Sequence, residues 1–129
     1  MAPGWIRLTL DPDLSSVTYA RAVIRRNAAA RGVVGSCARD AELVVSELVT
    51  NAITHGTPPI GLHIGIDSSI RVEVTDTGAG VPRRRDPGED GGWGLFLVEA
   101  VSTHWGCDHL GDHKSVWAEL GPVEVAAAS

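Results

Sequence analysis

The sequence predicts an α+β two-layer sandwich, with helices on one face of a mixed, mostly antiparallel sheet. Two observations lead to this fold class. Some segments repeat apolar residues at helical spacing, and others alternate apolar and polar residues with period two. The segments follow one another in the order βααββ, a polar loop, and αββ, and this order allows antiparallel hairpins to form one sheet beneath the helices.

The chain has 129 residues, of which 43% are hydrophobic. This is the size of one ordinary domain with one core. We therefore expect a single domain spanning residues 1–129, with a core at about residues 5–120. The small residues that follow Val123 indicate that residues 121–129 form a frayed tail.

Composition and charge exclude several classes of protein. The net charge is −5, and the longest basic run is Arg83 to Arg85, so we expect no nucleic-acid partner. No apolar run approaches the ~20 residues of a membrane span, which predicts a soluble, cytoplasmic protein. Cys37 and Cys107 are far apart in the chain, and we expect reduced, buried thiols.

The N-terminal third is predicted to form a strand and then a helix. Residues 5–10 alternate between two faces, as a strand with one buried face does. Ser15 or Ser16 is a suitable cap for a helix that runs to about Arg31, where Gly32 ends it.

The central helix is predicted over residues 40–56. Its apolar residues recur at i, i+3, i+4 and i+7, which is typical of a helix with one buried stripe. At about 100° per residue, Glu47 and Asn51 lie about 40° apart on consecutive turns. A carboxylate and an amide in this arrangement can hold a hydrated divalent cation, although such pairs are more often simply solvated.

The second half of the chain predicts two hairpins and a short helix. Residues 60–66 and 70–74 alternate as an antiparallel pair, and residues 77–92 form a long polar loop. Residues 95–101 are apolar almost all round, as in a short buried helix. Residues 105–110 and 115–120 form the final hairpin.

Asp76 ends a predicted strand and is followed by Gly78 and Gly80. The carboxylate can accept a hydrogen bond from an exocyclic amine such as that of adenine. The two glycines allow the backbone to approach a flat ligand closely. A plain turn at the end of a strand is the alternative interpretation.

Gly92 and Gly94 precede the short apolar helix, where backbone N–H groups and a helix N-terminus can receive a phosphate. A tight turn into a buried helix explains the same residues. The loop before them carries three arginines, including Arg84, which either reach phosphates as part of a lid or are simply exposed to solvent.

Together these motifs resemble a known family. Glu47-x-x-x-Asn51, Asp76-x-Gly78-x-Gly80 and Gly92-x-Gly94 are similar to the N, G1 and G2 boxes of the GHKL ATPases, which share the Bergerat fold. The resemblance covers about residues 5–120. VVSELVTNAITHG, GWGLFLV and SVWAEL resemble the small bacterial anti-sigma factor serine kinases and related ATP-binding regulators.

The resemblance implies two cofactors, ATP and Mg²⁺, and a role for each motif residue. Asn51 would be the Mg²⁺ ligand, and Glu47 would be the general base. Asp76 would bind the adenine amine, helped through a water molecule by Ser115. The remaining motif residues would bring backbone to the nucleotide: Gly78 and Gly80 at adenine, Gly92 and Gly94 at the phosphates.

The implied function is transfer of the γ-phosphate of ATP to a serine of an antagonist protein, together with sequestration of a sigma factor. A homodimer formed by the first strand and helix is a further expectation from the family. The alternative is a non-catalytic switch, in which ATP orders the lid and thereby shapes a surface for a partner protein.

A metal-binding protein is a third possibility. His104, Cys107, Asp108, His109 and His113 are all possible ligands within a short segment. In a hairpin, however, Asp108 points away from Cys107 and His109, and the spacing fits no familiar zinc pattern.

Overall fold

The computed structural model describes residues 5–78 and 94–127. Along the chain the elements are β1 (Trp5–Leu10), α1 (Ser15–Ala30), β2 (Val33–Val34), α2 (Cys37–His55), β3 (Ile60–Ile66), β4 (Ile70–Asp76), α3 (Gly94–Val101), β5 (His104–Leu110), β6 (His113–Leu120) and β7 (Glu124–Val125).

The main sheet has the strand order β1-β3-β4-β6-β5, and each pair of neighbours is antiparallel. Alternate residues of β3 and β4 are buried beneath the helices, which lie on one face of the sheet. The predicted two-layer α+β sandwich is therefore confirmed. Within the described ranges the main sheet is wholly antiparallel rather than mixed.

The start of α1 differs in detail from the prediction. Ser15 is already the first helical residue, and its backbone N–H donates to Oδ1 of Asp13 at 2.8 Å. The hydroxyl of Ser16 donates to the carbonyl of Asp11 at 2.9 Å. The capping carboxylate is thus Asp13, because an acceptor two residues upstream reaches a free N–H of the first turn.

Helix α2 runs through the middle of the helical layer. It begins three residues earlier than predicted, after Ser36, so Asp40 lies in its first turn beside the positive end of the helix. Its apolar stripe is almost completely buried, and it packs on α1, α3 and β4. Half-buried Glu42 also accepts a hydrogen bond from Arg25 of α1 at 2.8 Å.

The end of the chain is more ordered than predicted. Instead of fraying at residue 121, it forms β7, which pairs with β2 through Val33 opposite Val125 and Val34 opposite Glu124. The N–H of Ala126 also donates to the carbonyl of Gly32 at 2.8 Å. Strands of two residues are too short to show a period, so periodicity does not predict them. Residues 128–129 of the predicted tail lie outside the described ranges.

Both cysteines are free and half-buried, as expected for reduced thiols, although neither is fully enclosed. Of the helices in residues 5–78 and 94–127, none is long and apolar enough to cross a membrane.

Candidate functional site

Asp76 is the best-defined residue of the candidate site. It is the last residue of β4 and is buried. Its Oδ1 accepts hydrogen bonds from the backbone N–H of Gly78 at 2.6 Å and of Thr57 at 3.3 Å. These bonds fix the orientation of the carboxylate and leave Oδ2 as the oxygen directed away from the two amides.

The segment after α2 is fastened to the end of β4. The backbone N–H of Thr77 donates to the carbonyl of Thr57 at 2.9 Å, and its hydroxyl donates to the carbonyl of Pro58 at 2.9 Å. The C-terminal end of α2 and the C-terminal end of β4 therefore form one connected unit around Asp76.

Glycine is required where these two ends meet. A Cβ at Gly56 would lie 2.6 Å from the carbonyl oxygen of Ala52 and 2.6 Å from Cγ of Asp76. A Cβ at Gly78 would lie 2.9 Å from Oδ1 of Asp76. Any larger residue would push the carboxylate out of its place. The sequence predicted that the backbone at Gly78 would approach a flat ligand closely. In the structure the group that lies close to Gly78 is the carboxylate of Asp76.

Glu47 and Asn51 lie one turn apart on α2, and both are half-buried. Asn51 immediately precedes Ala52, whose carbonyl accepts the N–H of Gly56 at 3.0 Å. Asn51 therefore lies near the end of α2 at which Asp76 is held, and Glu47 lies one turn before it.

Helix α3 begins at Gly94, one residue before the predicted start at Leu95, and Leu95 and Val98 are buried against the core. It packs on α2 and β5. The other predicted phosphate residues, Gly92 and Arg84, lie outside the described residues, as does Gly80 of the predicted adenine site.

Lys114 is a residue of this site that sequence reasoning missed. It pairs with Asp76 across β4 and β6, so the two side chains project from the same face of the sheet. Its Nζ lies 3.9 Å from Oδ2 of Asp76, and both side chains are more than nine-tenths buried. A lysine is rarely buried to this degree unless its charge is paired.

Ser115 lies on the opposite face of the sheet from Asp76. Ser115 pairs with Thr75, and neighbouring residues of a strand point to opposite faces. Its hydroxyl therefore lies on the face away from Asp76, where Oγ is buried with no partner among the described residues. The register does not bring Ser115 and Asp76 together.

The period of β6 contained a signal for the inward orientation of Lys114. Lys114 is separated by an even number of residues from Val116, Ala118 and Leu120, which are all buried beneath the helices, so it projects from the same face of β6. Ser115 shares its parity with Trp117, on the other face. Counting in steps of two from the apolar residues would have selected Lys114 as the inward-facing polar residue.

Cys107 lies near the same ion pair. It pairs with Val116, which places it on the inner face one step along from Lys114. Burial raises the pKa of the Cys107 thiol, the Lys114 ammonium opposes this, and the carboxylates of Asp108 and Asp76 add to the increase in pKa. The thiol accordingly remains protonated at neutral pH.

The proposed metal ligands of the last hairpin do not form a cluster. His104 and Asp108 lie on one face of β5, and Cys107 and His109 on the other. Across residues 5–78 and 94–127, no group of three or more His, Cys, Asp or Glu residues is arranged to hold a metal ion.

Comparison with known proteins identifies relatives of this fold. A family model described as the histidine kinase-like ATPase domain matches residues 10–118. A comparison with curated proteins finds no match.

Among solved structures, the RsbU and RsbW domains of Rv1364c from Mycobacterium tuberculosis match with a TM-score of 0.73 and 23% identity over 95% of this chain. The present chain spans 33% of the chain in that structure. A histidine kinase domain from Erythrobacter litoralis EL346 matches with a TM-score of 0.51 and 22% identity, covering 85% of this chain and 60% of the other. The histidine kinase AdeS from Acinetobacter baumannii matches with a TM-score of 0.52 and 14% identity, covering 95% and 69%. At these identities the likeness concerns the fold.

Proposed function

This chain belongs to the family of histidine kinase-like ATPase domains, and from this premise we propose that it binds ATP with Mg²⁺ and phosphorylates a serine of a partner protein. The observation that supports the proposal best is the meeting of α2, which carries Glu47 and Asn51, with the end of β4, which carries Asp76. By resemblance to the family, Glu47 is at the general-base position, Asn51 is at the Mg²⁺-binding position, and Asp76 is at the adenine-binding position.

The donor set suits both parts of Mg·ATP. Oδ2 of Asp76 is an acceptor that the two backbone amides do not use, which fits the exocyclic amine of adenine. The amide oxygen of Asn51 is a hard, neutral ligand of the kind Mg²⁺ accepts. When bound, Mg²⁺ would neutralise charge on the phosphates of the substrate.

In the proposed reaction the hydroxyl oxygen of the partner's serine attacks the γ-phosphorus. The carboxylate of Glu47 takes the hydroxyl proton, the bond from the γ-phosphorus to the bridging oxygen breaks, and ADP leaves with the bonding electron pair. The protein mainly positions the two substrates, so Asp76 contributes by fixing the nucleotide base relative to Glu47.

The proposed partners are a sigma factor and its antagonist protein, the latter being the phosphorylated substrate. The sequences around Asn51 and in β6 that resemble the anti-sigma factor serine kinases support this choice. So does the structural likeness to the solved RsbU and RsbW domains of Rv1364c. Such partners would be met in the cytoplasm. A homodimer formed through β1 and α1 is also proposed on the family resemblance.

Calorimetric titration of ATP into the protein, with and without Mg²⁺, tests the nucleotide site. We expect saturable binding that requires Mg²⁺ and is lost in Asn51→Ala. Asn27→Ala is the matched control, because Asn27 is a half-buried asparagine of α1 whose side chain donates to the carbonyl of Val23 in its own helix at 2.8 Å. Equal loss in both variants would contradict the assignment of Asn51.

The kinase and the switch are distinguished by Glu47→Gln. The protein is incubated with γ-labelled ATP and the soluble proteins of its source cells, and labelled phosphoserine is measured. A kinase should label one small protein, and the variant should bind ATP normally while losing nearly all of this label. Equal labelling by Glu47→Gln would remove Glu47 from the catalytic role, and absence of label with intact ATP binding would favour the switch.

A further inference from the structure

The buried ion pair of Lys114 and Asp76 lies at the position where the proposed function puts the nucleotide base. Lys114 is the only lysine of the chain, and every other strongly basic residue is an arginine. A lysine ammonium is a compact point charge with three rotatable donors, whereas a guanidinium is a wide planar fork. A lysine therefore fits beside a buried carboxylate where an arginine would need more room.

Lys114 and Asp76 form an ion pair and not a direct hydrogen bond. Nζ and Oδ2 are 3.9 Å apart, which exceeds the length of about 2.7–3.2 Å for a direct hydrogen bond between nitrogen and oxygen. Oδ1 is held by the amides of Gly78 and Thr57. The ammonium can only donate and the ionised carboxylate can only accept, so the pair offers one donor beside one acceptor.

Adenine presents the complementary pattern on both sides of its 6-amino group. The amino group donates, and the ring nitrogens beside it, N1 on one edge and N7 on the other, accept. We propose that Lys114 contacts the nucleobase directly, with Nζ donating to N1 while Oδ2 of Asp76 accepts from the 6-amino group. This inference rests on the proposed function, since it assigns a further specificity-determining residue to the same nucleotide site.

The expected contribution to affinity is large because the donor is charged and buried. Hydrogen bonds to charged groups contribute about 1.5–3 kcal/mol, which corresponds to about 10- to 100-fold in Kd. Serine or threonine, or a bridging water, would offer a weaker, neutral donor at this position.

The test uses ATP analogues that change one ring atom at a time. In 1-deaza-ATP, N1 is replaced by C–H, so the acceptor for Lys114 is missing while the 6-amino group is kept. Titration into the full chain with Mg²⁺ should show about 10- to 100-fold weaker binding than for ATP. The control is 7-deaza-ATP, which alters the opposite edge of the base and should bind within about threefold of ATP.

Lys114→Met supplies the second half of the comparison. Methionine keeps an unbranched chain but has no donor, so ATP should bind about 10- to 100-fold more weakly, and ATP and 1-deaza-ATP should bind equally. A preference for ATP that survives in the variant would show that another group contacts N1, and would overturn the proposal.

A spectroscopic readout keeps the test valid if Lys114→Met fails to fold. Because the chain has one lysine, ¹⁵N-lysine labelling of the unaltered protein gives a single side-chain ammonium resonance. We expect ATP to change the chemical shift of this resonance. The change caused by 1-deaza-ATP should be only a small fraction of that caused by ATP. Equal shifts with both nucleotides would overturn the proposal.

The outcomes separate this inference from the proposed function. If Mg²⁺-dependent ATP binding occurs but 1-deaza-ATP binds as tightly as ATP, the contact of Lys114 with N1 is wrong and the ATP site stands. If no ATP binds to the unaltered protein, both proposals are wrong.

Discussion

Nζ of Lys114 and Oδ2 of Asp76 lie 3.9 Å apart across β4 and β6, with 8% and 3% of their side chains exposed. The same two strands carry a second pair at the same distance, Arg71 and Glu119, whose side chains are 32% and 37% exposed. One strand pair therefore holds two ion pairs of equal length that differ in burial, one on each face of the sheet.

The two pairs should differ in their coupling free energy. Buried charges interact more strongly because little solvent screens them, so we expect about 1–3 kcal/mol of coupling between Asp76→Asn and Lys114→Met in a double-mutant cycle. For Arg71→Met and Glu119→Gln we expect less than about 1 kcal/mol. The measurement is the free energy of unfolding in urea for each single and double variant. Coupling that is equal in the two cycles would contradict the effect of burial.

Ser115→Ala should leave the affinity for ATP within about twofold of that of the unaltered protein. This corresponds to a change of less than about 0.4 kcal/mol in the free energy of binding, as expected if the Ser115 hydroxyl makes no contact with the nucleotide. The hydroxyl faces away from Asp76, alongside Thr75. Calorimetric titration of ATP with Mg²⁺ provides the measurement. A tenfold loss of affinity in this variant would contradict this expectation and support the contact that the family resemblance implies.

The thiol of Cys107 should report on the charges around it. In a Cys37→Ser background, the pH dependence of alkylation by iodoacetamide gives the pKa of Cys107, since only the thiolate reacts. Burial raises this pKa and the Lys114 ammonium opposes the increase, so Lys114→Met should raise it further. Asp76→Asn should lower it, because the carboxylate of Asp76 adds to the increase.

Cys37 is the control for that measurement. Its pKa is raised by burial and by the nearby Asp40, with no contribution from Lys114. In a Cys107→Ser background, Lys114→Met should therefore leave the alkylation profile of Cys37 unchanged. A parallel shift of both thiols would indicate a general change in structure.

Gly56→Ala should weaken both folding and nucleotide binding. The added methyl group would meet the carbonyl of Ala52 and the carboxylate of Asp76 at 2.6 Å, and neither the helix backbone nor the buried carboxylate can move cheaply. We expect a loss of about 1–3 kcal/mol in the free energy of unfolding. The accompanying displacement of Asp76 should weaken ATP binding at least tenfold.

Gly106→Ala is the matched control on the other face of the sheet. There a Cβ would approach the Trp117 ring at 2.9 Å, so this substitution also introduces a steric clash. This clash should lower the free energy of unfolding. Because Trp117 lies on the face away from Asp76, the affinity for ATP should stay within about twofold at a temperature where the protein is folded. Equal losses of ATP affinity in the two variants would mean that general destabilisation explains the result for Gly56→Ala.

Periodicity in the sequence predicted the long elements correctly. Helix α2 and the hairpin of β3 and β4 each bury a full apolar face. Burial of one face requires apolar residues at the helical period in α2 and at every second residue in the strands. The short pair of β2 and β7 was missed because two residues cannot establish a period. The cap of α1 was assigned to a serine because several neighbouring polar side chains are all suitable, and only the backbone path selects Asp13.

The sequence by itself determined the class of fold, the order of its elements, and the positions of Glu47, Asn51 and Asp76 on a helix and at a strand end. These features depend on neighbours along the chain. Tertiary structure alone decided that Lys114 is the residue paired with Asp76, and that Gly56 and Thr57 hold the carboxylate in place. The physical reason is register: pairing between strands far apart in sequence sets which face each side chain takes, and a shift of one residue would exchange the two.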